Sequence, residues 1–247
     1  MDRAASKTAV VVGASSGVGR ALATRLAEAG YHLVLASRDA RDLAACAADL
    51  QLRFGVACHF LELDICNTDG FAQACKVLLG PVDVLAIPAG GAIPQDEDAN
   101  AAVIHSVHQT NFVGPARLAA DFGRDMAARQ TGVVVLFSSI AAAAPRRKNP
   151  AYSAAKAALE VYAAGLRHAL QPSGVEIVVV ALGYVDTAQT FGMRLLFPIS
   201  SPDAVAQHVL RRILARAGGK AYYPWFWLWV TIILRCLPWA LYRRLRF

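Results

Sequence analysis

The sequence contains few cysteines, and their spacing does not suit a metal site or a redox pair. There are five in 247 residues, an odd number with no CxxC pair. This pattern excludes a disulfide framework and a zinc ribbon, and it predicts reduced, mostly buried thiols in a cytoplasmic protein. His105 and His108 have no partner residues at ligand spacing, so we predict no metal site.

The sequence also lacks an apolar run long enough to cross a membrane. Residues 1–7 lead into the first apolar run without the hydrophobic region and cleavage site of a secretory signal. A membrane-spanning helix needs about 20 apolar residues. The apolar segment 221–234 is shorter than this and is followed by Arg235 and Pro238, so it is not expected to span a bilayer.

Acidic residues are missing from the C-terminal part of the chain. None follows Asp203, whereas eight of the 25 Lys and Arg residues lie from Arg211 onward, so the net charge of +7 arises here. Such a patch suits nucleic acid or an anionic membrane. All four tryptophans lie in the same part, at positions 225, 227, 229 and 239. Because Trp-rich, Arg-flanked segments favour the membrane interface, we predict peripheral membrane contact and no nucleic-acid binding. The alternative is an arm that packs on a neighbouring subunit or over the active site.

Apolar, β-rich runs alternate with Ala- and Leu-rich helical patterns along the chain. This alternation is typical of βαβ units and predicts an α/β fold with a parallel sheet. We predict a domain over 1–220 and a tail over 221–247. The predicted strands lie at about 8–12, 31–36, 56–63, 82–87, 132–138, 175–182 and 219–223. The predicted helices lie at about 17–29, 39–54, 67–79, 99–129, 151–171 and 202–217.

A glycine-rich turn follows the first strand and precedes the first helix. Its glycines let the backbone turn tightly and approach a pyrophosphate, and the N–H groups at the start of the next helix face that anion. The spacing is GxxxGxG rather than GxGxxG, and a plain Gly-rich turn is the alternative. The candidate cofactor-binding residues here are Gly13, Ser15, Ser16, Gly17, Val18 and Gly19.

The ends of the second and third strands carry residues suited to the adenosine half of a dinucleotide. Ser37 stands where a carboxylate would bind a free ribose 2′-hydroxyl, and Arg38 beside it suits a 2′-phosphate. This pair favours NADPH over NADH, with a solvated Arg38 as the alternative. Asp39 fits better as the N-cap of the next helix. Asp64, followed by Ile65, either meets the adenine amino group or caps a helix, and we include both residues as cofactor-binding candidates.

Tyr152 and Lys156 lie four residues apart in an Ala-rich predicted helix, so their side chains share a face. A free phenol has a pKa of about 10, and a cation beside it favours phenolate and lowers that pKa. Such a pair can transfer a proton near pH 7, as ketone–alcohol redox chemistry requires. Ser139 ends the fifth strand, thirteen residues earlier, where a hydroxyl can bind a substrate carbonyl. Two ordinary helix-surface residues are the alternative for the Tyr–Lys pair.

Three further segments border the predicted crevice. Ala89 and Gly90 follow the fourth strand, where small residues let a flat ring lie close to the backbone. The cations at 146–148 belong either to a solvated loop or to an anion-binding rim. The large apolar residues of 191–197 form either a packed flap or the lid of a lipophilic pocket.

Together these residues resemble the short-chain dehydrogenase/reductase (SDR) family over about residues 8–220. The resemblance rests on the glycine turn, on Asp64 and on an Asn-Ser-Tyr-Lys tetrad, filled by Asn111, Ser139, Tyr152 and Lys156. It implies a doubly wound Rossmann fold of about seven parallel strands, with hydride transfer from a nicotinamide cofactor. It also implies a homodimer or homotetramer paired through the two long helices.

The resemblance implies a role for each of these residues. Tyr152 protonates the carbonyl oxygen, and Lys156 lowers the tyrosine pKa and holds the nicotinamide ribose. Ser139 orients the carbonyl, and Asn111 supports Lys156 through a water. The positions that contact the nicotinamide amide and the phosphates are Val185 and Thr187.

Two departures from the family pattern flank the expected cofactor. The usual Asn-Asn-Ala-Gly after the fourth strand is Ile-Pro-Ala-Gly at 87–90. The usual Pro-Gly after the sixth strand is Leu-Gly at 182–183. Both concern the placement of the nicotinamide and leave the predicted fold unchanged.

The tail resembles that of a subgroup that reduces the keto group of a polyprenyl-phosphate-linked pentose. The similar segments are Tyr-x-Pro-Trp-Phe-Trp at 222–227 and Leu-Pro-x-x-Leu-Tyr-Arg-Arg-Leu at 237–245. We therefore predict an NADPH-preferring reductase of a lipophilic or lipid-linked ketone at the inner face of a membrane, with a long-chain keto lipid as the second substrate class. A non-catalytic nicotinamide-binding membrane adaptor and a soluble reductase whose tail serves assembly are the alternatives.

Overall fold

One parallel sheet of seven strands organises the molecule. The computed structural model describes residues 7–90, 100–143, 149–187, 190 and 197–244. The strands are β1 (Thr8–Val12), β2 (His32–Ser37), β3 (Cys58–Glu62), β4 (Val84–Ile87), β5 (Gly132–Ser139), β6 (Val175–Leu182) and β7 (Gly219–Tyr223). Their order across the sheet is β3-β2-β1-β4-β5-β6-β7. The predicted doubly wound α/β fold and its strand number are confirmed.

Helices cover both faces of this sheet. In chain order they are α1 (Gly17–Glu28), α2 (Ala40–Phe54), α3 (Phe71–Leu79), α4 (Ala101–His108), α5 (Gly114–Ala128), α6 (Pro150–Leu170), α7 (Pro202–Leu214), α8 (Trp227–Cys236) and α9 (Trp239–Tyr242). Apolar residues of α1, α2 and α7 form one buried cluster, and those of α3, α5 and α6 form another. Because side chains alternate along a strand, Val11 belongs to the first cluster and Val10 to the second. Burial on both faces explains the continuous apolar runs of the strands.

The order of the strands places a crevice at one edge of the sheet. β1 lies between β2 and β4, so the connections leave it in opposite directions at this point. Ligands of open α/β sheets bind at such a switch point, beyond the carboxyl ends of the strands. β5 and β6 end beside it, with Ser139 paired to Leu182. The strand ends that carry the candidate residues therefore share one edge.

The helix predicted over 99–129 is divided by a π-helical turn at Gln109–Val113. Pro115 supplies the reason, because it has no N–H to donate to the carbonyl of Asn111. Gly114 lies so close to the preceding loop that a Cβ there would be 2.1 Å from the carbonyl oxygen of Ile65. The predicted helical stretch over 99–129 is therefore present from Ala101 to Ala128, with one π-helical turn around Asn111.

The chain continues past β7 into α8 and α9, the predicted C-terminal helical extension. Because β7 runs to Tyr223, the predicted division at residue 220 falls inside this strand. Of the helices in the described part of the chain, none is long and apolar enough to cross a bilayer.

Candidate active site

The glycine turn after β1 is a tightly packed backbone cradle. Gly13 has a φ of +93°, and its N–H donates to the carbonyl of Ala36 at 2.7 Å. A Cβ on Gly19 would lie 1.9 Å from the carbonyl oxygen of Gly13, and one on Gly13 would lie 2.9 Å from the backbone of Ala89. Side chains are therefore excluded at both positions, and the start of α1 packs directly on the strand ends, as in dinucleotide-binding turns of this type.

The first turn of α1 opens toward the loop that follows β6. Ser16 is the N-cap residue, and its side chain makes no capping hydrogen bond. Ser15 is half-buried, and Val18 packs against the core. A Cβ on Gly17 would lie 3.2 Å from Cγ2 of Thr187. The helix N-terminus and Thr187 thus meet, as shared contact with a phosphate requires.

The loop that carries Thr187 is held by short hydrogen bonds. The hydroxyl of Thr190 donates to the carbonyl of Val185 at 2.6 Å and accepts from the N–H of Thr187 at 3.2 Å. Val185 is buried and forms a parallel bridge with Ser200. These contacts fix both predicted cofactor residues of the loop beside the crevice.

The residues after β2 include an exposed cation and a carboxylate that is already hydrogen-bonded within the protein. Ser37 is buried, and its hydroxyl donates to the carbonyl of Asp39 at 3.1 Å. Asp39 caps α2 and pairs with Arg41 at 2.7 Å; this hydrogen-bonded guanidinium lowers the pKa of Asp39 to about 2. The N-cap interpretation of Asp39 is confirmed. Arg38 is exposed beside an open depression of about 570 Å³, which Arg41 and Glu62 also line.

Asp64 and Ile65 follow β3 in a turn. The carboxylate of Asp64 accepts a hydrogen bond from the N–H of Cys66 at 3.0 Å. The next helix begins only at Phe71, so the alternative of a helix cap at Asp64 is wrong. Ile65 is buried, with its carbonyl against Gly114. An adenine contact of Asp64 stays a prediction.

Gly90, Asn111 and Lys156 come together at the end of β4. A Cβ on Gly90 would lie 3.2 Å from Oδ1 of Asn111 and 3.9 Å from Nζ of Lys156. Asn111 is 1% exposed, and its amide donates to the carbonyl of Val107 at 3.0 Å. Its Oδ1 atom has no hydrogen-bond partner among the described residues. This buried acceptor and the lysine ammonium both lie near Gly90, as the predicted support of Lys156 through a water requires.

Lys156 is a buried cation held by the sheet. Its ammonium donates to the carbonyl of Phe137 at 3.0 Å and lies 5.7 Å from the ring centre of Tyr152. Burial lowers the pKa of Lys156 to about 8, because desolvation disfavours the charged form. Tyr152 is half-buried in the first turn of α6. The structure thus brings Asn111 and Lys156 together at Gly90, with the Tyr152 ring near the lysine.

Ser139, the fourth tetrad residue, ends β5 two positions after Phe137. It is half-buried, and its hydroxyl accepts from the N–H of Ala141 at 3.1 Å. The carbonyl that binds Lys156 and the hydroxyl predicted to bind substrate therefore belong to the same strand end. The cations at 146–148 lie outside the described residues.

Glu160, on α6, binds residues of two strands of the sheet, and the sequence analysis did not predict it. Its carboxylate accepts from the hydroxyl of Ser138 at 2.7 Å and from Lys220 at 2.6 Å. Glu160 lies one helical turn after Lys156 on α6, and Ser138 precedes Ser139. Its spacing from Lys156 was the available signal, because positions four apart share a helix face.

The C-terminal helix α8 packs on the outer wall of the crevice. Trp227 is 2% exposed, and a Cβ on Gly183 would lie 1.9 Å from its Nε1 atom. Its ring also packs against Phe197 with centroids 4.6 Å apart. Arg235 donates to the carbonyl of Ala143 at 2.9 Å, four residues beyond Ser139. Of the apolar segment 191–197, only Phe197 lies within the described residues.

The glycine cradle, the open start of α1 and the unpartnered Asn111 acceptor fit a nicotinamide dinucleotide. A model of the short chain dehydrogenase family matches residues 7–194, so the chain belongs to this family. It is an NAD(P)-dependent oxidoreductase of the SDR type.

Individual relatives cover nearly the whole chain. An uncharacterised oxidoreductase of Mycobacterium tuberculosis is 32% identical over 253 residues, covering 99% of each chain. A very-long-chain 3-oxoacyl-CoA reductase of Aspergillus clavatus is 30% identical over 229 residues, covering 88% of this chain and 64% of the relative. The structure of a short-chain dehydrogenase from Sphingobium yanoikuyae in complex with NADPH is 27% identical, covers 97% of this chain and 96% of its own, and has a TM-score of 0.81.

Proposed function

We propose that the protein is an NADPH-preferring reductase that converts a ketone on a lipophilic or lipid-linked substrate into a secondary alcohol. The observation that carries this proposal is the placement of the buried Lys156 ammonium between the Tyr152 ring, Gly90 and the carbonyl of Phe137. The cofactor, when bound along the crevice, supplies the hydride.

The chain's own residues supply the proton and the orientation of the carbonyl. Tyr152 donates its phenolic proton to the carbonyl oxygen, which the Ser139 hydroxyl holds. The Lys156 ammonium stabilises the resulting phenolate by charge and hydrogen bonding. Asn111 would support Lys156 through a water bound to its buried Oδ1 atom, which has no partner among the described residues. The small residues Ala89 and Gly90 leave room for a flat ring beside this group.

The preference for NADPH rests on the tip of β2. The Asp39 carboxylate pairs with the Arg41 guanidinium and accepts the capping hydrogen bond at the start of α2, so it is not available to a ribose 2′-hydroxyl. Arg38 is exposed at the rim of the depression and can pair with a 2′-phosphate through its guanidinium fork. The NADPH complex of the Sphingobium relative is consistent with this assignment.

The lipophilic substrate is supported by the aromatic wall beyond β6. Tyr184, Phe197 and Phe226 surround Trp227, with ring centroids 4.6 to 5.7 Å from it. A polyprenyl-phosphate keto-pentose is our first substrate class, because the tail resembles that of reductases of such sugars. A long-chain keto lipid is the second, and the relatives named very-long-chain 3-oxoacyl-CoA reductases favour it.

The proposal includes two kinds of partner. A homodimer or homotetramer would pair through α5 and α6, where Val161 is 74% exposed. The segment 221–247 would contact a membrane peripherally from the cytoplasmic side.

Turnover with a series of ketones tests the reductase directly. The purified full-length chain is incubated with NADPH or NADH and with short-chain, long-chain and prenyl-linked ketones, and cofactor oxidation and alcohol are quantified together. We expect equimolar alcohol and NADP⁺, with the highest kcat/KM on a lipophilic ketone. NADPH binding without turnover on any of these ketones would instead identify a non-catalytic nicotinamide-binding adaptor.

A further inference from the structure

Helix α8 has two faces that differ sharply in exposure. Trp227 and Thr231, one turn apart, are each 2% exposed. On the opposite side of the same segment, Trp225 is 72% exposed, Trp229 59% and Ile233 61%. At 100° per residue the exposed positions centre about half a turn away from Trp227. We call the side with Trp225, Trp229 and Ile233 the outer face.

The buried side of α8 ties together two segments that border the crevice. Trp227 lies against Gly183, directly after β6. Arg235 reaches the carbonyl of Ala143, shortly after β5. Because β5 and β6 end side by side at the candidate site, α8 bridges the two walls of the crevice mouth.

The next helix, α9, also exposes large apolar side chains that suit an interface. Trp239 is 67% exposed and Leu241 51% exposed. Large exposed apolar surfaces of this kind mark interaction sites. Tryptophan in particular is enriched where an apolar phase meets water.

The charges around the outer face select among possible partners. Arg243 and Arg244 are exposed, and no acidic residue follows Asp203 in the sequence. A second copy of the same surface would bring like charges together, which costs free energy. An anionic bilayer matches both the cations and the apolar side chains between them.

We infer that the outer face docks on an anionic lipid bilayer and that the crevice mouth between Ala143 and Gly183 thereby opens at the lipid surface. The ketone then enters the site from the membrane without crossing bulk water. This inference rests on the proposed reductase function and specifies how its substrate arrives.

Vesicle flotation of the full-length protein tests the docking surface. The double variant Trp229→Gln/Ile233→Gln is compared with wild type and with Leu52→Gln, which replaces an 88% exposed apolar residue on α2. We expect wild type and Leu52→Gln to float with phosphatidylglycerol vesicles, less with phosphatidylcholine vesicles or at high salt. The double variant should bind at least about tenfold more weakly. Equal flotation of all three proteins would overturn the inference. So would a failure of wild type to bind vesicles while these substitutions change its oligomeric state.

Reduction rates of a water-soluble ketone and of a ketone in vesicles test whether the substrate enters from the membrane. A water-soluble short-chain ketone should be reduced equally by all three proteins. A long-chain ketone in phosphatidylglycerol vesicles should be reduced at least about tenfold more slowly by the double variant. Equal rates on the vesicle-borne ketone would refute delivery from the membrane. If wild type reduces neither ketone, the reductase proposal fails, while flotation still decides the docking surface.

Discussion

The Nζ atom of Lys156 lies 5.7 Å from the ring centre of Tyr152 and 3.0 Å from the carbonyl oxygen of Phe137. The sheet therefore holds the ammonium in place, and the positive charge of the ammonium favours the phenolate form of Tyr152. A charge fixed in this way needs no rearrangement when phenolate forms, which is the advantage of a preorganised site. The cost is the burial of a cation.

Replacing Lys156 is expected to stabilise the fold while it removes activity. The pKa shift from 10.5 to about 8 corresponds to a burial cost on the order of 3 kcal/mol at neutral pH. Loss of the hydrogen bond to Phe137 offsets about 1 kcal/mol of the gain. Lys156→Met should thus raise the free energy of unfolding by roughly 1–2 kcal/mol in urea titrations near pH 7.

The pH dependence of that difference follows from the same shift. Between about pH 8 and 10.5 the unfolded chain keeps a proton on Lys156 that the folded chain has lost. The wild type is therefore stabilised relative to Lys156→Met as the pH rises through this window, and the variant's advantage should shrink. A constant difference across the window would contradict a buried, desolvated lysine.

Reductase kcat/KM of the wild type should also fall above about pH 8, because the Lys156 ammonium loses its proton there.

The glycine cradle is expected to tolerate no side chain. Gly19→Ala places a Cβ 1.9 Å from the carbonyl oxygen of Gly13, so we expect NADPH affinity to fall at least about tenfold. Gly165→Ala on α6 is the matched control, since a Cβ there meets nothing within 4 Å. The control should gain about 0.5–1 kcal/mol of stability by helix propensity and bind NADPH normally. Isothermal titration and thermal unfolding measure both effects.

Arg38 is expected to select the cofactor. Arg38→Ala should lower kcat/KM for NADPH by about 10- to 100-fold, the usual range for a lost charged hydrogen bond, and leave NADH within about threefold. Arg53→Ala is the control, because Arg53 is an exposed cation of α2 that pairs with Asp49 and does not line the depression beside Arg38. A parallel loss with both cofactors would show that Arg38 does not read the 2′-phosphate.

The Glu160 carboxylate is expected to stabilise the end of β5 beneath the site. Glu160→Gln weakens its bonds to Ser138 and Lys220, so we expect a loss of about 2 kcal/mol in the free energy of unfolding. Glu28→Gln breaks an exposed pair with Arg25 and should cost less than about 1 kcal/mol. Equal effects in chemical denaturation would refute a structural role for Glu160.

The sequence predicted the sheet and the common face of Tyr152 and Lys156 because both follow local rules. The central strands are continuous buried runs such as Val10–Val12, and their type needs no knowledge of their neighbours. Tyr152 and Lys156 share a helix, so their spacing alone predicts a common face. Asp39 could be predicted as an N-cap because capping depends only on its neighbours along the chain.

Contacts between distant segments were not predictable in this way. The close approach of Gly114 to Ile65, beside the π-helical turn, is a contact that no periodicity reveals. The contact of Arg235 with Ala143 joins residues 92 positions apart. The composition of the tail left open whether it contacts lipid or packs over the active site, and only the fold shows that one side of α8 packs beside the crevice. Only the fold brings these segments together.

Removal of the Tyr152 hydroxyl tests the central claim, proton transfer by Tyr152, most directly. Tyr152→Phe removes the proton donor and keeps the ring beside Lys156. We predict that kcat for NADPH-dependent ketone reduction falls at least about 100-fold, while the Kd for NADPH stays within about threefold. Turnover close to that of the wild type would contradict proton transfer by Tyr152, and with it the mechanism proposed for this site.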